Sequence, residues 1–259
     1  MTRDFWIGTG WKMTKTIAET RDYLTRLATF ELPDDVRIFV LPPFTALAAA
    51  REAATGAPVL VGAQNLHWED AGARTGEISA RMLTEIGVDL VEIGHSERRA
   101  DFGETDATVA AKVRAAIAAG LRPLVCVGDD DAELEAGASA EAVLRQAKLA
   151  FAGLTPSELD GALLAYEPIW AIGETGRAAT TDHVAVIHDA LRRMLDARGL
   201  HGVALLYGGS VDAENAGPIA ALDDVDGLFV GRAAWTPEGL AAVIDMARLW
   251  RFGNAGARP

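Results

Sequence analysis

The stretch Ala165-Tyr166-Glu167-Pro168-Ile169-Trp170-Ala171-Ile172-Gly173 decides the fold of this chain. It continues the apolar run that starts at Gly161, which is typical of a parallel strand covered on both faces. Burying a carboxylate at the end of such a strand costs free energy unless the carboxylate is paired with another group or takes part in the protein's chemistry. Pro168 disfavours helix at Glu167, and the apolar segment after it ends at Gly173. This pattern predicts a general base beneath a closing lid, and a structural ion pair at Glu167 is the alternative.

Seven further apolar runs alternate with helical segments on both sides of this strand. The eight predicted strands lie at 5–8, 37–41, 59–63, 89–93, 121–127, 161–166, 203–207 and 227–230. Eight βα units predict one closed (β/α)8 barrel domain spanning residues 1–259, with a doubly wound open sheet as the alternative. The alternative is disfavoured because no G-x-G-x-x-G motif follows the first strand.

Composition excludes several classes of partner. The net charge of −13 argues against nucleic acid and against an anionic membrane surface. No apolar run approaches the length of about 18 residues that a membrane span needs, and the first residues do not resemble a signal peptide. The single cysteine, Cys126, cannot form an internal disulfide and is typical of a reducing compartment. We therefore expect a cytoplasmic protein.

Polar residues and glycines gather where the predicted strands end. Lys12 follows the first strand, His95 the fourth, Glu167 the sixth, Gly208-Gly209-Ser210 the seventh and Gly231-Arg232 the eighth. The carboxyl ends of barrel strands meet on one face, where active sites lie. Each residue alone could be an ion pair or a turn, but together they predict an active site.

The residue types predict cofactor-free acid–base chemistry on a small phosphorylated molecule. Glu167 would be the base, and His95, before a predicted helix start, would be a neutral hydrogen-bond donor to an oxyanion. Lys12 would offset negative charge. The glycine loops at 208–210 and 231–232 would bind phosphate through main-chain N–H groups. No spacing typical of metal ligands and no nucleotide motif occurs, so we expect neither metal nor cofactor.

Several stretches resemble the triosephosphate isomerase family, and they follow its order across essentially the whole chain. They are Trp11–Met13, Gly62–Asn65, Thr75–Ser79, Glu92–Arg99, Ala165–Gly173, Tyr207–Val211 and Asp226–Gly227. The resemblance implies proton transfer between adjacent carbons through an enediolate. It makes Glu167 the base, His95 the neutral electrophile, Lys12 the charge stabiliser and Glu97 a residue that holds the site.

The resemblance also implies how substrate and subunits are held. Residues 169–179 would form the lid, and main-chain N–H groups would bind phosphate at Gly173, Ser210, Gly231 and Arg232. A homodimer is implied, in which the loop 64–77, including Thr75, reaches into the neighbouring subunit.

Three departures from the family pattern affect the substrate. Gly10 stands where the family usually has Asn, Arg232 replaces a second glycine, and Glu174 lies in an altered lid tip. With Trp235, the last two are similar to a subgroup that isomerises L-erythrulose 1-phosphate to D-erythrulose 4-phosphate in erythritol breakdown. A substrate one carbon longer than a triose phosphate fits the space at Gly10. Triosephosphate isomerase activity proper stays the alternative.

Two readings from other classes remain open. One is a catalytically inactive barrel that serves as a scaffold, which the retention of Lys12, His95 and Glu167 together disfavours. The other is an aldolase that forms a Schiff base at Lys12.

Overall fold

The computed structural model describes residues 4–173 and 176–253. Its eight parallel strands close into a barrel in sequence order, so that β8 pairs with β1. The strands are β1 Phe5–Gly10, β2 Val36–Leu41, β3 Val59–Ala63, β4 Leu90–Ile93, β5 Arg122–Val127, β6 Leu163–Tyr166, β7 Ala204–Tyr207 and β8 Gly227–Val230. The (β/α)8 prediction is confirmed, and the open-sheet alternative is wrong because β1 and β8 are hydrogen-bonded neighbours.

Helices lie around the barrel and connect successive strands. They are α1 Ile17–Leu27, α2 Leu47–Ala53, α3 Ala80–Ile86, α4 Ser96–Asp101, α5 Asp106–Ala118, α6 Asp131–Glu135, α7 Ser139–Ala150, α8 Thr181–Ala197, α9 Ala216–Ala220 and α10 Pro237–Arg251. Gly137, with a φ of 68°, separates α6 from α7, since a left-handed residue ends a helix. None of the helices in the described residues is both long and apolar enough to cross a membrane.

The barrel interior is filled by side chains from alternate positions of the strands. Trp6, Phe39, Leu90, Leu124 and Phe229 belong to this inner cluster. Along β4 the alternation places Leu90 inside, whereas Val91 and Ile93 pack outward against the helices. A larger apolar layer between strands and helices surrounds the barrel. The interior is therefore a packed core, and the site can form only above it.

Candidate active site

Glu167 lies directly above β6, with 3% of its surface exposed. Its N–H donates to Val127 O at 2.8 Å, which extends the β5–β6 ladder by one residue. A Cβ on Gly208 would lie 2.7 Å from Glu167 Cγ, so only glycine at that position leaves room for the carboxyl. Glu167 Oε2 is buried and has no hydrogen-bond partner among the described residues. It is an acceptor that a ligand in the cavity could use.

His95 is the N-cap of α4 and lies across the cavity from Glu167. Its Nδ1 accepts the N–H of Glu97 at 3.1 Å, so the ring proton belongs on Nε2. Nε2 lies 3.9 Å from Glu167 Oε2. The geometry presents an imidazole N–H beside an unpartnered carboxylate oxygen. This agrees with the expectation that a helix start follows His95.

Lys12 reaches the same cavity from the end of β1. Its Nζ forms an ion pair with Glu97 Oε1. Within 4–173 and 176–253, Lys12 is the non-glycine residue with a positive φ, at 49°. Gln64 Nε2 donates to Lys12 O at 2.9 Å and the Thr14 hydroxyl donates to Trp11 O at 2.6 Å. These bonds hold a costly backbone conformation in place, which is typical of a functional site.

Glu92 is a residue of this cavity that our sequence reasoning missed as a site residue. It follows Leu90 by two positions on β4, so it points into the barrel, and it is 6% exposed. Cys126 Sγ donates to Glu92 Oε1 at 3.8 Å. The signal was present in the sequence: a single carboxylate at an inward position of an apolar strand.

Burial dominates the electrostatics of the two carboxyls. It raises the pKa of Glu92 from 4.5 to about 7, and the negative charge of Glu167 adds to this rise while His95 and Lys12 oppose it. Burial likewise raises the pKa of Glu167, again opposed by His95 and Lys12. Both groups are therefore more basic than a carboxylate in water. A raised pKa suits a side chain that takes and returns a proton near neutral pH.

Glu92, His95 and Glu167 form a compact group in which one ligand atom from each lies within 4.8 Å of the others. Sequence spacing did not predict this group, because the barrel assembles it from two strands. Such a set of atoms has the chemistry to hold a cation. The positive charge of Lys12, which acts on both carboxyls, opposes a metal ion there.

The four residues predicted to bind phosphate all line the same cavity. The cavity has a volume of about 1040 Å³, and Gly173, Ser210, Gly231 and Arg232 lie along it together with Lys12, His95 and Glu167. After β7 the chain continues through the loop that holds Ser210, and α9 begins only at Ala216. After β8 a single 3-10 turn, Arg232–Ala234, follows Gly231. Ser210 is therefore presented by a loop, because hydrogen bonds between Asp212 and Asn215 turn the chain before α9.

The segment predicted as a lid starts with a 3-10 turn, Ile169–Ala171. Trp170 Nε1 donates to the buried carboxylate of Asp129 at 3.0 Å, and Arg232 Nη2 donates to Gly173 O at 2.7 Å. Arg232 thus bridges the β8 loop and the lid. Glu174, in the altered lid tip, lies outside the described residues.

Thr75 does not reach this cavity in its own chain. The loop that follows β3 is fixed at its base, where His67 N donates to Ile78 O at 2.8 Å, and Thr75 is exposed near its tip. Two apolar side chains near the cavity are also exposed: Met13, of which 96% is exposed, and Phe102, of which 67% is exposed.

Fold and site together define a barrel enzyme of the sugar-phosphate isomerase class. A buried carboxylate, an imidazole and a lysine share one cavity with the glycine loops after β7 and β8. The sequence model described as triosephosphate isomerase matches residues 5–247, and the chain belongs to that family. It is an isomerase.

Similar proteins carry a more specific name. A protein from Mycolicibacterium smegmatis named L-erythrulose-1-phosphate isomerase is 48% identical over 246 residues, which cover 93% of this chain and 92% of the relative. Proteins of the same name from Mesorhizobium japonicum and Rhizobium meliloti are 44% and 45% identical. These alignments cover 94% and 93% of this chain and 97% and 95% of the two relatives.

Proposed function

We propose that this protein interconverts L-erythrulose 1-phosphate and D-erythrulose 4-phosphate. The observation that carries the proposal is the unpartnered Glu167 Oε2 at 3.9 Å from His95 Nε2, inside a cavity lined by glycine loops. The name shared by relatives that are 44–48% identical supports the choice of a tetrulose phosphate. Gly10 lines the cavity and leaves space for a larger sugar.

The reaction needs only a proton shuttle. Glu167 removes the proton from C3 of L-erythrulose 1-phosphate, and the C–H electron pair forms the C2=C3 double bond while the carbonyl electrons move to the C2 oxygen. His95 Nε2–H and the Lys12 ammonium stabilise the negative oxygen. The C3 hydroxyl proton then passes to the C2 oxygen, the carbonyl forms at C3, and Glu167 returns to C2 the proton that it took from C3. When the carbon atoms of the product are numbered from the end that does not carry the phosphate, the product is D-erythrulose 4-phosphate.

The phosphate would be held by the glycine loops that line the same cavity. Gly173, Ser210, Gly231 and Arg232 would supply main-chain N–H groups to it, as the resemblance implies, and the Arg232 side chain connects this region to the lid through Gly173 O. A lid closed over the phosphate would exclude water from the carboxyls and increase their basicity. Glu97 holds Lys12 and His95 relative to one another.

The alternative substrate is a triose phosphate, because the same three side chains would serve it and the matched family is described by that activity. The decisive experiment is kcat/KM for L-erythrulose 1-phosphate and for D-glyceraldehyde 3-phosphate, measured on one preparation. We expect the tetrulose phosphate to be preferred by more than about tenfold, or ~1.4 kcal/mol of transition-state binding. A preference of that size for the triose phosphate would contradict the proposal.

Two controls separate the remaining alternatives. Activity with neither sugar phosphate would favour the scaffold hypothesis. Borohydride trapping of substrate on Lys12 would favour the aldolase, and we expect none. Solvent deuterium should appear at the carbons that exchange the proton, as an enediolate requires.

We further propose a homodimer, as the resemblance implies, in which the loop 64–77 and Thr75 contact the neighbouring subunit. The exposed Met13 and Phe102 beside the cavity support an apolar surface for that contact. The cytoplasmic location and the absence of nucleic-acid and membrane partners stay predictions from the net charge and the single cysteine.

A further inference from the structure

The floor of the cavity lies between β1, β4 and β8. Glu92 precedes His95 by three residues, and Phe229 precedes Gly231 by two, so both lie deeper than the residues at the cavity rim. A Cβ built on Gly10 would lie 3.9 Å from Glu92 Oε2 and 3.3 Å from Phe229 Cζ. Glycine at position 10 therefore leaves this part of the floor without a side chain, with the Phe229 ring close by and a carboxyl oxygen at its border.

This carboxyl has few partners of its own. The hydrogen bond that the described residues give it is the weak one from Cys126 to Oε1. Glu92 Oε2 faces Gly10, which has no side chain to offer a donor. Because Glu92 lines the cavity, a ligand there could pair with this oxygen.

The two candidate sugar phosphates differ by one group. A tetrulose phosphate carries a hydroxymethyl substituent on the carbon that loses its proton, where a triose phosphate carries hydrogen. With phosphate at the loops after β7 and β8 and the reacting carbon beside Glu167, the hydroxymethyl group extends away from the phosphate. The floor at Gly10 and Glu92 belongs to the same cavity and offers a place for that group.

We propose that Glu92 is a specificity-determining residue whose carboxyl hydrogen-bonds the terminal hydroxyl of the tetrulose phosphate in the space that Gly10 leaves open. The inference rests on the proposed function and adds to it the group that recognises the fourth carbon. A carboxyl can serve a hydroxyl as acceptor when ionised and as both donor and acceptor when protonated.

The charged surroundings are consistent with this role. The groups that face Glu92 are Lys12 from β1, His95 and Glu97 from β4 and α4, Glu167 from β6 and Cys126 from β5. Burial raises the pKa of Glu92 to about 7, so its protonated form is populated near neutral pH. In that form Glu92 does not compete with Glu167 as a second negative charge.

The first test compares Glu92→Val with Glu92→Gln. Each variant and the wild type are assayed for kcat/KM with L-erythrulose 1-phosphate and with D-glyceraldehyde 3-phosphate. For Glu92→Val we expect the tetrulose value to fall at least about tenfold more than the triose value, since a site that hydrogen-bonds a hydroxyl loses that selectivity without its partner. Glu92→Gln keeps a donor and an acceptor at the same place, so its substrate ratio should stay within about threefold of wild type.

The second test changes the other side of the same space. In Gly10→Ala the added methyl group occupies part of the floor. We expect the ratio of tetrulose to triose kcat/KM to fall, although Glu92 is unchanged. Because Gly10→Ala leaves the Glu92 carboxyl in place, it tests the space even where Glu92→Val folds poorly.

Each outcome is decisive. A wild type that prefers triose phosphate overturns the proposed function and this inference together. A wild type that prefers tetrulose phosphate, with equal losses for both substrates in folded Glu92→Val, overturns only the inference and makes Glu92 a structural residue. If the ratio of tetrulose to triose kcat/KM is unchanged in Gly10→Ala, Glu92→Gln and Glu92→Val, the inference is likewise overturned and the proposed function is kept. Thermal melting of each variant verifies its folding.

Discussion

At the residue scale, the site depends on two buried carboxyls whose surroundings differ. Glu167 has an unpartnered oxygen 3.9 Å from the His95 imidazole, whereas Glu92 lies lower, against Gly10 and Cys126. Burial raises the pKa of both. The unpartnered oxygen beside His95 supports the proposed proton transfer by Glu167, and the position against Gly10 supports the proposed recognition by Glu92.

The proposed base can be tested with Glu167→Gln. The amide has nearly the same shape and fits beneath Gly208, so binding should be retained while proton abstraction is lost. We expect kcat to fall by about 10²- to 10⁴-fold and KM to change much less. Steady-state kinetics and deuterium exchange measure this. Activity within tenfold of wild type would place the base elsewhere.

The raised pKa of Glu92 has a consequence for stability. Between pH 4.5 and about 7 the folded state keeps a proton that the unfolded state has released, so wild-type stability falls as pH rises through this window. Glu92→Gln removes this loss. The unfolding free energy of Glu92→Gln relative to wild type should therefore rise from pH 4.5 to pH 8, by on the order of 3 kcal/mol.

Urea denaturation at both pH values measures the difference. The exposed Glu135→Gln on α6 is the matched control and should show no such change between the two pH values. An equal effect of Glu92→Gln at both pH values would show that the Glu92 pKa is not raised by folding.

At the element scale, a buried ionic network ties α5 to the loops beside the cavity. Lys112 on α5, 3% exposed, forms an ion pair with Glu104 and donates to Asn65 Oδ1 at 2.7 Å. Arg98 on α4 also pairs with Glu104. These contacts therefore connect α5 both to α4, which His95 caps, and to the loop after β3.

Lys112→Met should destabilise the protein strongly, because it leaves the Glu104 carboxylate buried with less compensation. Removing one partner of a buried pair costs about 3–5 kcal/mol, and the retained pair with Arg98 sets the expectation near the lower value. Urea denaturation at pH 7 measures it. Lys148→Met on the exposed face of α7 is the control and should stay within about 0.5 kcal/mol of wild type. A similar small effect for Lys112→Met would show that the network does not stabilise the fold.

At the scale of the whole molecule, closure of the barrel gathers residues from position 10 to position 235 around one cavity. The same face carries the exposed Met13 and Phe102. A second copy that covers these side chains would also cover one wall of the cavity, so assembly and catalysis would depend on each other.

Phe102→Asp tests the proposed dimer. A charge in an apolar contact should weaken it, so the solution mass should shift from twice the 27.4 kDa of one chain toward a single chain. Light scattering after size exclusion measures the mass over a range of protein concentrations. The control is Val186→Asp on α8, where a side chain 64% exposed should leave the mass unchanged. A wild type that is monomeric throughout, or a Phe102→Asp variant that stays dimeric, would contradict the proposed interface.

The sequence by itself determined the eight-unit barrel, because each buried strand and each helix stop is a local pattern in the chain. It also determined which residue types end the strands, so that Lys12, His95 and Glu167 are predicted as site residues from the sequence alone. The tertiary structure decided which other side chains lie next to those residues in the cavity. Glu92 belongs to the site only because strand alternation and barrel closure bring it opposite Gly10, 82 positions earlier. Distances across the barrel and the burial that shifts the carboxyl pKa values depend on contacts between remote segments, and no local pattern contains them.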